Sequence, residues 1–285
     1  MILPSLLWSA SDLSTYNIRI VDEDWKTFFD IPTLPDPTED ISLLLAADAD
    51  PADPRMSDGG GRFLASLQSA ARYPQLWELQ DHVNFTKQLV EMFRDRSRLL
   101  PRYGINRIET MRLNSQSKDV YAQASVSSVD WYNRVHLLCE ATLSGDDPEI
   151  KLIIDALAAF ARNRRVRAVC NVLARDSDEF AGITVRGFAP TFYKITITNA
   201  LSRAVAGDEG TSPAALPETV VRRCIPPVEH LEQYWREGVY NLDNRQAVLL
   251  CLKMFTTYFR DLYGTEEEAR CDGPYLKGML LHECL

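Results

Sequence analysis

One continuous stretch, residues 135–164, constrains the fold of this chain more than any other. It begins with an apolar run of strand length, turns at Ser-Gly-Asp-Asp, and continues from Pro148 as a long apolar run that ends in arginines. A proline suits the first turn of a helix, and Asp146 or Asp147 can serve as the N-cap. The stretch therefore predicts a buried strand, a tight polar turn and an apolar helix from Pro148 to about residue 162.

Glu140 is the exceptional residue of the predicted strand, because it puts a carboxylate where an apolar residue is expected. Burying a carboxylate is costly unless the group is paired or bound to a cation. Glu140 is therefore the first candidate site residue, either as a ligand of a cation or as the partner of an arginine at the end of the strand.

The flanking segments extend this unit into a larger fold. Helical periodicity covers residues 62–100, and two alternating segments, 105–113 and 119–126, predict a hairpin before the central strand. Three further strand patterns follow, at residues 164–174, 182–185 and 188–198. We therefore predict an α/β or α+β protein with a mixed central sheet flanked by helices.

Charge and composition divide the chain into three predicted parts. Residues 1–61 form an acidic, partly extended arm, since residues 1–60 hold 12 Asp and Glu against three Lys and Arg and account for the net charge of -9. Residues 62–198 form the α/β core. Residues 199–285 form a mainly helical C-terminal appendage packed on the core, with a short edge strand at 219–225.

Composition also limits the class of protein. No apolar run approaches the roughly 18 to 20 residues that cross a bilayer, and the N terminus lacks the regions of a signal peptide. The six cysteines form no Cys-x-x-Cys pair, which argues against a zinc site and for a reducing compartment. We expect a cytoplasmic or nuclear protein that does not bind membranes.

A second carboxylate, Asp119, opens the strand before the central one. Adjacent strands can bring two carboxylates together at one edge of a sheet, and such a pair is a usual ligand set for Mg²⁺ or Mn²⁺. An ion held by Asp119 and Glu140 would polarise a phosphodiester and supply a hydroxide near neutral pH. A nearby lysine would stabilise the negative charge that develops.

The order of elements and the Asp, Glu-x-Thr spacing resemble the restriction-endonuclease-like fold, known from its Pro-Asp, (Asp/Glu)-x-Lys motif. The resemblance covers about residues 76–198, and residues 188–198 look like the outer strand of fungal crinkler-type nuclease-like domains. It implies Asp119 and Glu140 as the acidic motif residues. Thr142 stands where the motif has lysine, and in this fold the following helix can supply that lysine, which here would be Lys151.

The resemblance leaves two functions open. With Lys151 as the third member, the site would hydrolyse phosphodiester bonds of nucleic acid with bound Mg²⁺ or Mn²⁺. Because a threonine cannot replace an ammonium group, the alternative is a degenerate site on a nuclease-like scaffold that binds another protein or regulates it and needs no metal. An unrelated α/β fold with a small-molecule pocket is a third possibility.

Arginines near the end of the predicted crossover helix form the densest basic cluster. A planar guanidinium can bond two phosphate oxygens at once, which makes the cluster a candidate nucleic-acid-binding surface. Arginines also complement the dipole at a helix C terminus, which is a plain structural explanation. The cluster comprises Arg162, Arg164, Arg165 and Arg167.

Overall fold

A computed structural model describes most of the chain, in eight ranges. These are residues 8–46, 49–72, 78–92, 104–114, 119–129, 134–142, 147–207 and 212–264, with only the backbone described at residues 71, 104–114, 119–121, 123 and 259–264. The helices in this part are α1 (Ala10–Thr15), α2 (Trp25–Phe29), α3 (Glu39–Leu44), α4 (Asp58–Arg72), α5 (Leu79–Met92), α6 (Pro148–Val169), α7 (Asn199–Ala206), α8 (Leu231–Glu237) and α9 (Leu242–Gly264). The strands are β1 (Ile18–Asp22), β2 (Gly104–Asn114), β3 (Asp119–Val129), β4 (Val135–Thr142), β5 (Ser177–Arg186), β6 (Ala189–Thr198) and β7 (Thr219–Cys224).

The described strands form one mixed sheet in the order β1-β7-β6-β5-β4-β3-β2. β2, β3 and β4 make an antiparallel meander, β4 and β5 run parallel, and β6 pairs antiparallel with both β5 and β7. Parallel neighbours need a crossover connection, and α6 provides it. The predicted mixed α/β fold, with a central sheet flanked by helices, is confirmed.

α6 begins where the local sequence predicts. Asp147 is its N-cap, with Oδ1 accepting a hydrogen bond from the backbone N–H of Glu149 at 3.0 Å, and Pro148 occupies the first turn. The predicted end near residue 162 is wrong, because the helix continues to Val169 and no strand forms at 164–174. Arginine and alanine favour helix, and the buried side chain of Arg167 fixes the last turns on the protein.

Each face of the sheet packs on its own set of helices. α6 packs on one face, where Leu152 and Leu157 join a core with Phe180 and Ile195. Gly182 allows α6 to lie close to β5, because a Cβ at this position would come within 2.8 Å of Leu152 Cδ2. The other face packs against α4, α5 and α9, through side chains that include Phe63, Phe85 and Phe255. In the described part of the chain, no helix is both long and apolar enough to cross a membrane.

The structure differs from the predicted division into arm, core and appendage. β1 pairs in parallel with β7 from Ile18↔Thr219 to Asp22↔Arg223, so the strand predicted at an edge lies inside the sheet. The boundary predicted after residue 61 falls within α4. The segments before and after the predicted core therefore belong to the same sheet as the core.

Cationic side chains from the C-terminal half fasten the N-terminal helices. Lys194 Nζ donates to the Phe28 carbonyl at 2.5 Å, and Arg245 donates to the Leu44 carbonyl at 3.0 Å. Both carbonyls lie in the last turn of a short helix, where the backbone lacks a helical partner and a cation complements the dipole. Because Phe28 and Leu44 are also fully buried, the N-terminal segment is an integral layer of the protein.

Candidate functional site

The carboxylate of Glu140 lies in β4 with only 1% of the residue exposed. Oε1 accepts a hydrogen bond from the backbone N–H of Ser125 at 3.0 Å. Oε2 accepts one from the Ser125 hydroxyl at 3.0 Å and one from Lys151 Nζ at 2.5 Å. The expectation that a carboxylate at this place must be paired is met, and its partner is a lysine.

Lys151 reaches Glu140 because α6 begins at Pro148, only six residues after β4 ends at Thr142, and packs on this strand. The lysine side chain is 43% exposed, whereas the carboxylate that it contacts is enclosed. Thr142, the residue in the expected lysine position, lies two residues further along β4 and is buried. The structure therefore brings two of the three predicted site residues together.

Asp119 is the predicted site residue that the structure does not bring near Glu140. Asp119 is the first residue of β3 and pairs with Asn114, the last residue of β2. Glu140 contacts Ser125, six residues later in β3, and six residues of strand span roughly 20 Å. The spacing in sequence was misleading because the number of residues between two positions does not determine the register of the strands that carry them. The side chain of Asp119 lies outside the described part.

The surroundings of Glu140 do not fit a divalent cation. Mg²⁺ and Mn²⁺ sites need several oxygen ligands, usually including more than one carboxylate. Here Oε2 already accepts two hydrogen bonds, one of them from an ammonium group, and Oε1 accepts a third. Among the residues whose side chains are described, no group of three or more His, Cys, Asp and Glu could hold a metal ion.

Polar side chains continue from Glu140 across the sheet. Thr184 is the register partner of Glu140 in β5, and its hydroxyl lies 3.3 Å from the hydroxyl of Tyr193 in β6. Tyr193 in turn donates to Glu149 Oε1, in the first turn of α6, at 2.6 Å. Burial, followed by the negative charge of Glu149, raises the pKa of Tyr193 well above its usual value. Tyr193 therefore acts as a hydrogen-bond donor in this row.

Arg223 of β7 extends the row to the edge of the sheet. It donates to Glu149 Oε1 at 2.7 Å and, through two N–H groups, to both carboxylate oxygens of Asp22 at 2.6 and 2.9 Å. The hydrogen bond with Arg223 lowers the pKa of Asp22, and the bond with Asp22 raises the pKa of Arg223. Sequence reasoning missed this ion triad because Asp22 and Arg223 are 201 residues apart.

The four arginines of the predicted nucleic-acid-binding cluster do not share one surface. Arg167 is 2% exposed, and its Nη1 lies 2.6 Å from Asp178 Oδ2, so its predicted role in binding phosphate is wrong. Arg164 is half-buried against Asn199 and the ring of Phe160. Consecutive helical residues differ by about 100° in direction, so a cluster in sequence is spread around the helix.

Two of these arginines remain on the outer side of α6. Arg165 is exposed and Arg162 is half-buried. Arg162 lies eleven residues after Lys151, which corresponds to roughly 16 Å along the helix. The outer arginines and the Glu140–Lys151 pair therefore occupy opposite ends of α6.

The chemistry available at the Glu140 site is limited by its internal bonds. The Glu140 carboxylate neutralises the Lys151 ammonium group, and the Ser125 hydroxyl is used between Glu140 and the backbone N–H of Ala141. At this end of α6, the described polar groups of Glu140 and Ser125 are thus hydrogen-bonded to one another and to Lys151, which is partly exposed. A scan against models of protein families and a search of curated proteins found no match to this chain.

Proposed function

We propose that this chain is a non-catalytic interaction protein that keeps a restriction-endonuclease-like scaffold with a degenerate active site. One observation carries the proposal: both oxygens of the Glu140 carboxylate are engaged by Ser125 and Lys151. A carboxylate that binds a catalytic metal must direct lone pairs at the ion. The carboxylate of Glu140 instead stabilises the junction of β3, β4 and α6.

The arrangement of elements supports the nuclease-like scaffold. From α5 to β6, a helix precedes an antiparallel meander of three strands, and a crossover helix then leads to a strand parallel to β4. That order is the one that the resemblance implies. Thr142, at the position of the motif lysine, supports loss of the chemistry, because a buried hydroxyl cannot stabilise a developing negative charge as an ammonium group does.

Hydrolysis of nucleic acid is the second candidate function, and one contact favours it. Lys151 Nζ lies 2.5 Å from Glu140 Oε2, so a lysine on the crossover helix does reach the motif carboxylate. A metal-dependent reaction would still need a second carboxylate beside Glu140. Among the residues with described side chains, no group of three or more His, Cys, Asp and Glu could hold the ion.

A nuclease assay on the full chain separates the two candidates. Labelled single- and double-stranded DNA and RNA would be incubated with Mg²⁺ or Mn²⁺, and Mn²⁺ binding would be followed by calorimetry. We expect no cleavage above that of Glu140→Gln and no heat of binding. The matched control is Glu232→Gln, at an exposed carboxylate on α8. Cleavage that Glu140→Gln and Lys151→Met abolish, while Glu232→Gln retains it, would replace the proposal with hydrolysis.

A further inference from the structure

The two edges of the described sheet are built differently. β1, at one edge, has five residues, and two of them, Arg19 and Asp22, form exposed ion pairs with Glu218 and Arg223. β2, at the other edge, has 11 residues and contains no proline or lysine. Short strands, prolines and lysines are among the usual means by which a protein keeps a sheet edge from pairing with another chain. Because β2 lacks all three, its outer edge is suited to such pairing.

The backbone of β2 has one side available for an added strand. On its inner side, β2 pairs antiparallel with β3 from Gly104↔Val129 to Asn114↔Asp119. No strand in the described part of the chain pairs with its outer side. In an antiparallel pair only alternate residues direct their N–H and C=O groups at the neighbouring strand, so the other residues of β2 direct theirs outward. An added strand would hydrogen-bond to these outward groups.

The sequence of β2 indicates which strand fits this edge. Residues 105–111 read Ile-Asn-Arg-Ile-Glu-Thr-Met, and in antiparallel order this segment matches itself about Ile108. In that register Arg107 stands opposite Glu109 of a second copy, twice by symmetry. Asparagine likewise stands opposite threonine, and isoleucine opposite methionine. Opposite charges and apolar pairs at facing positions of neighbouring strands stabilise a sheet, so the segment is complementary to its own copy.

Other registers of the same pairing are disfavoured by charge. A twofold axis between two copies of a strand sets one residue opposite its own copy. An axis at Arg107, Glu109 or Arg112 would set like charges opposite each other, which is destabilising. Among the positions of β2, only an axis at Ile108 sets an arginine opposite the glutamate. The charge pattern therefore favours a single register with a second copy of this chain.

We propose that the outer edge of β2 binds β2 of a second copy of this chain, antiparallel and with the twofold axis at Ile108. The pairing joins the two described seven-stranded sheets into one continuous sheet. The inference goes beyond the proposed function and does not depend on it, because the groups that engage Glu140 lie in β3 and α6. A nuclease assay and a measurement of self-association therefore test different statements.

Two charge variants of the full chain test the pairing and its register together. Arg107→Glu makes both residues of each facing pair acidic, and Glu109→Arg makes both basic. Each variant alone should therefore dimerise at least about tenfold more weakly than the parent. An equimolar mixture restores both opposite-charge pairs between unlike chains and should dimerise about as tightly as the parent. Sedimentation equilibrium gives the dissociation constants, and native mass spectrometry identifies the mixed dimer by its mass.

The matched controls reverse exposed charges at another place. Arg236→Glu and Glu232→Arg, both on α8, should dimerise like the parent and show no preference for the mixed dimer. A parent chain that stays monomeric at every concentration would overturn the proposal. So would a mixture of the two β2 variants that associates no better than either variant alone.

Hydrogen exchange on the parent chain tests the same edge without a substitution. In the dimer, the amides of residues 105–111 are all bonded within the sheet, whereas in the monomer only those that donate to β3 are. Dilution to the monomer should therefore remove protection from every second amide, as measured by NMR. Outward amides that stay protected at all concentrations would show that the same chain covers the edge. Outward amides that are never protected would show that no strand pairs there, and either result overturns the proposal.

Discussion

The two ends of α6 use their polar side chains in different ways. At the N-terminal end, Lys151 bonds to Glu140, and Glu149 bonds to Tyr193 and Arg223, so the helix joins a network across the sheet. At the C-terminal end, Arg167 is buried in an ion pair with Asp178, whereas Arg165 is exposed. The polar side chains of the N-terminal end are bonded to one another and to the sheet. Those of the C-terminal end include a buried ion pair and an exposed arginine.

This difference shows that position around the helix, more than residue type, decides what a polar side chain does. Arg165 and Arg167 are two residues apart, yet one is exposed and the other is 2% exposed in an ion pair. Two residue steps of about 100° each point them to nearly opposite sides of the helix. A local charge count therefore overestimates the surface that is available to a ligand.

Arg167→Met should have the largest effect, because it breaks the buried anchor at the C-terminal end. Asp178, 6% exposed, would keep only the partly exposed Arg175 at 4.0 Å, so the free energy of unfolding should fall by about 3–5 kcal/mol. Urea denaturation measures the change. The double variant Arg167→Met with Asp178→Leu should recover most of the loss, and a single variant as stable as the parent would show that the pair anchors nothing.

Asn163→Leu should have the next largest effect, at the same end of the helix. The Asn163 amide accepts from the backbone N–H of Val135 and donates to its carbonyl, both at 2.7 Å and both buried. Two orphaned backbone groups should cost about 2–4 kcal/mol of unfolding free energy. Denaturation would give the loss, and hydrogen exchange at Val135 would localise it. An unchanged exchange rate there would contradict the assignment.

Glu140 variants test whether the N-terminal end of α6 is built for stability. Glu140→Ala leaves the Ser125 donors without an acceptor and should cost about 2–3 kcal/mol, whereas Glu140→Gln keeps an acceptor and should cost about 1 kcal/mol. Thermal or urea unfolding without metal measures both. If either variant were more stable than the parent, the carboxylate would be held at a cost to stability, as catalytic groups often are.

Asp22→Asn tests the exposed ion pair between Asp22 and Arg223 through the pH dependence of stability. The hydrogen bond with Arg223 lowers the pKa of Asp22 in the folded protein. The contribution of Asp22 to the free energy of unfolding is therefore fully present above the pKa of the unfolded chain, about 3.9, and is lost as the pH falls through the lower pKa of the folded protein. Because Asp22 is well exposed, the parent should exceed the variant by only about 0.5 kcal/mol at neutral pH and low salt. Urea denaturation at neutral pH and at about pH 2 should show that difference vanish with acid.

Leu173→Asp and Arg165→Glu should change stability least, since both residues lie on the outer side of the C-terminal end. We expect changes within about 0.5 kcal/mol in either direction. Urea denaturation of both variants makes the measurement. A loss comparable to that of Asn163→Leu would mean that these side chains are needed for the fold.

Part of the site was predictable from the sequence around it. A carboxylate inside an apolar strand predicts a paired group, and Lys151 is a near neighbour in sequence, eleven residues away. The pairing with Ser125 was not predictable, because it depends on the register of two strands. The same register keeps Asp119 roughly six strand positions from the place where a second carboxylate was expected.

Local patterns in the sequence were sufficient to predict the cap and start of α6, the meander before it, and the mixed α/β class of the fold. These follow from short-range signals, since caps and hydrophobic periodicity act within a few residues. The pairing of β1 with β7, the link from Asp22 through Arg223 to Glu149, and the burial of Arg167 emerge only from the packing of the folded chain. Such contacts join residues far apart in the chain, and packing of the whole protein selects them over other pairings that the local sequence equally permits.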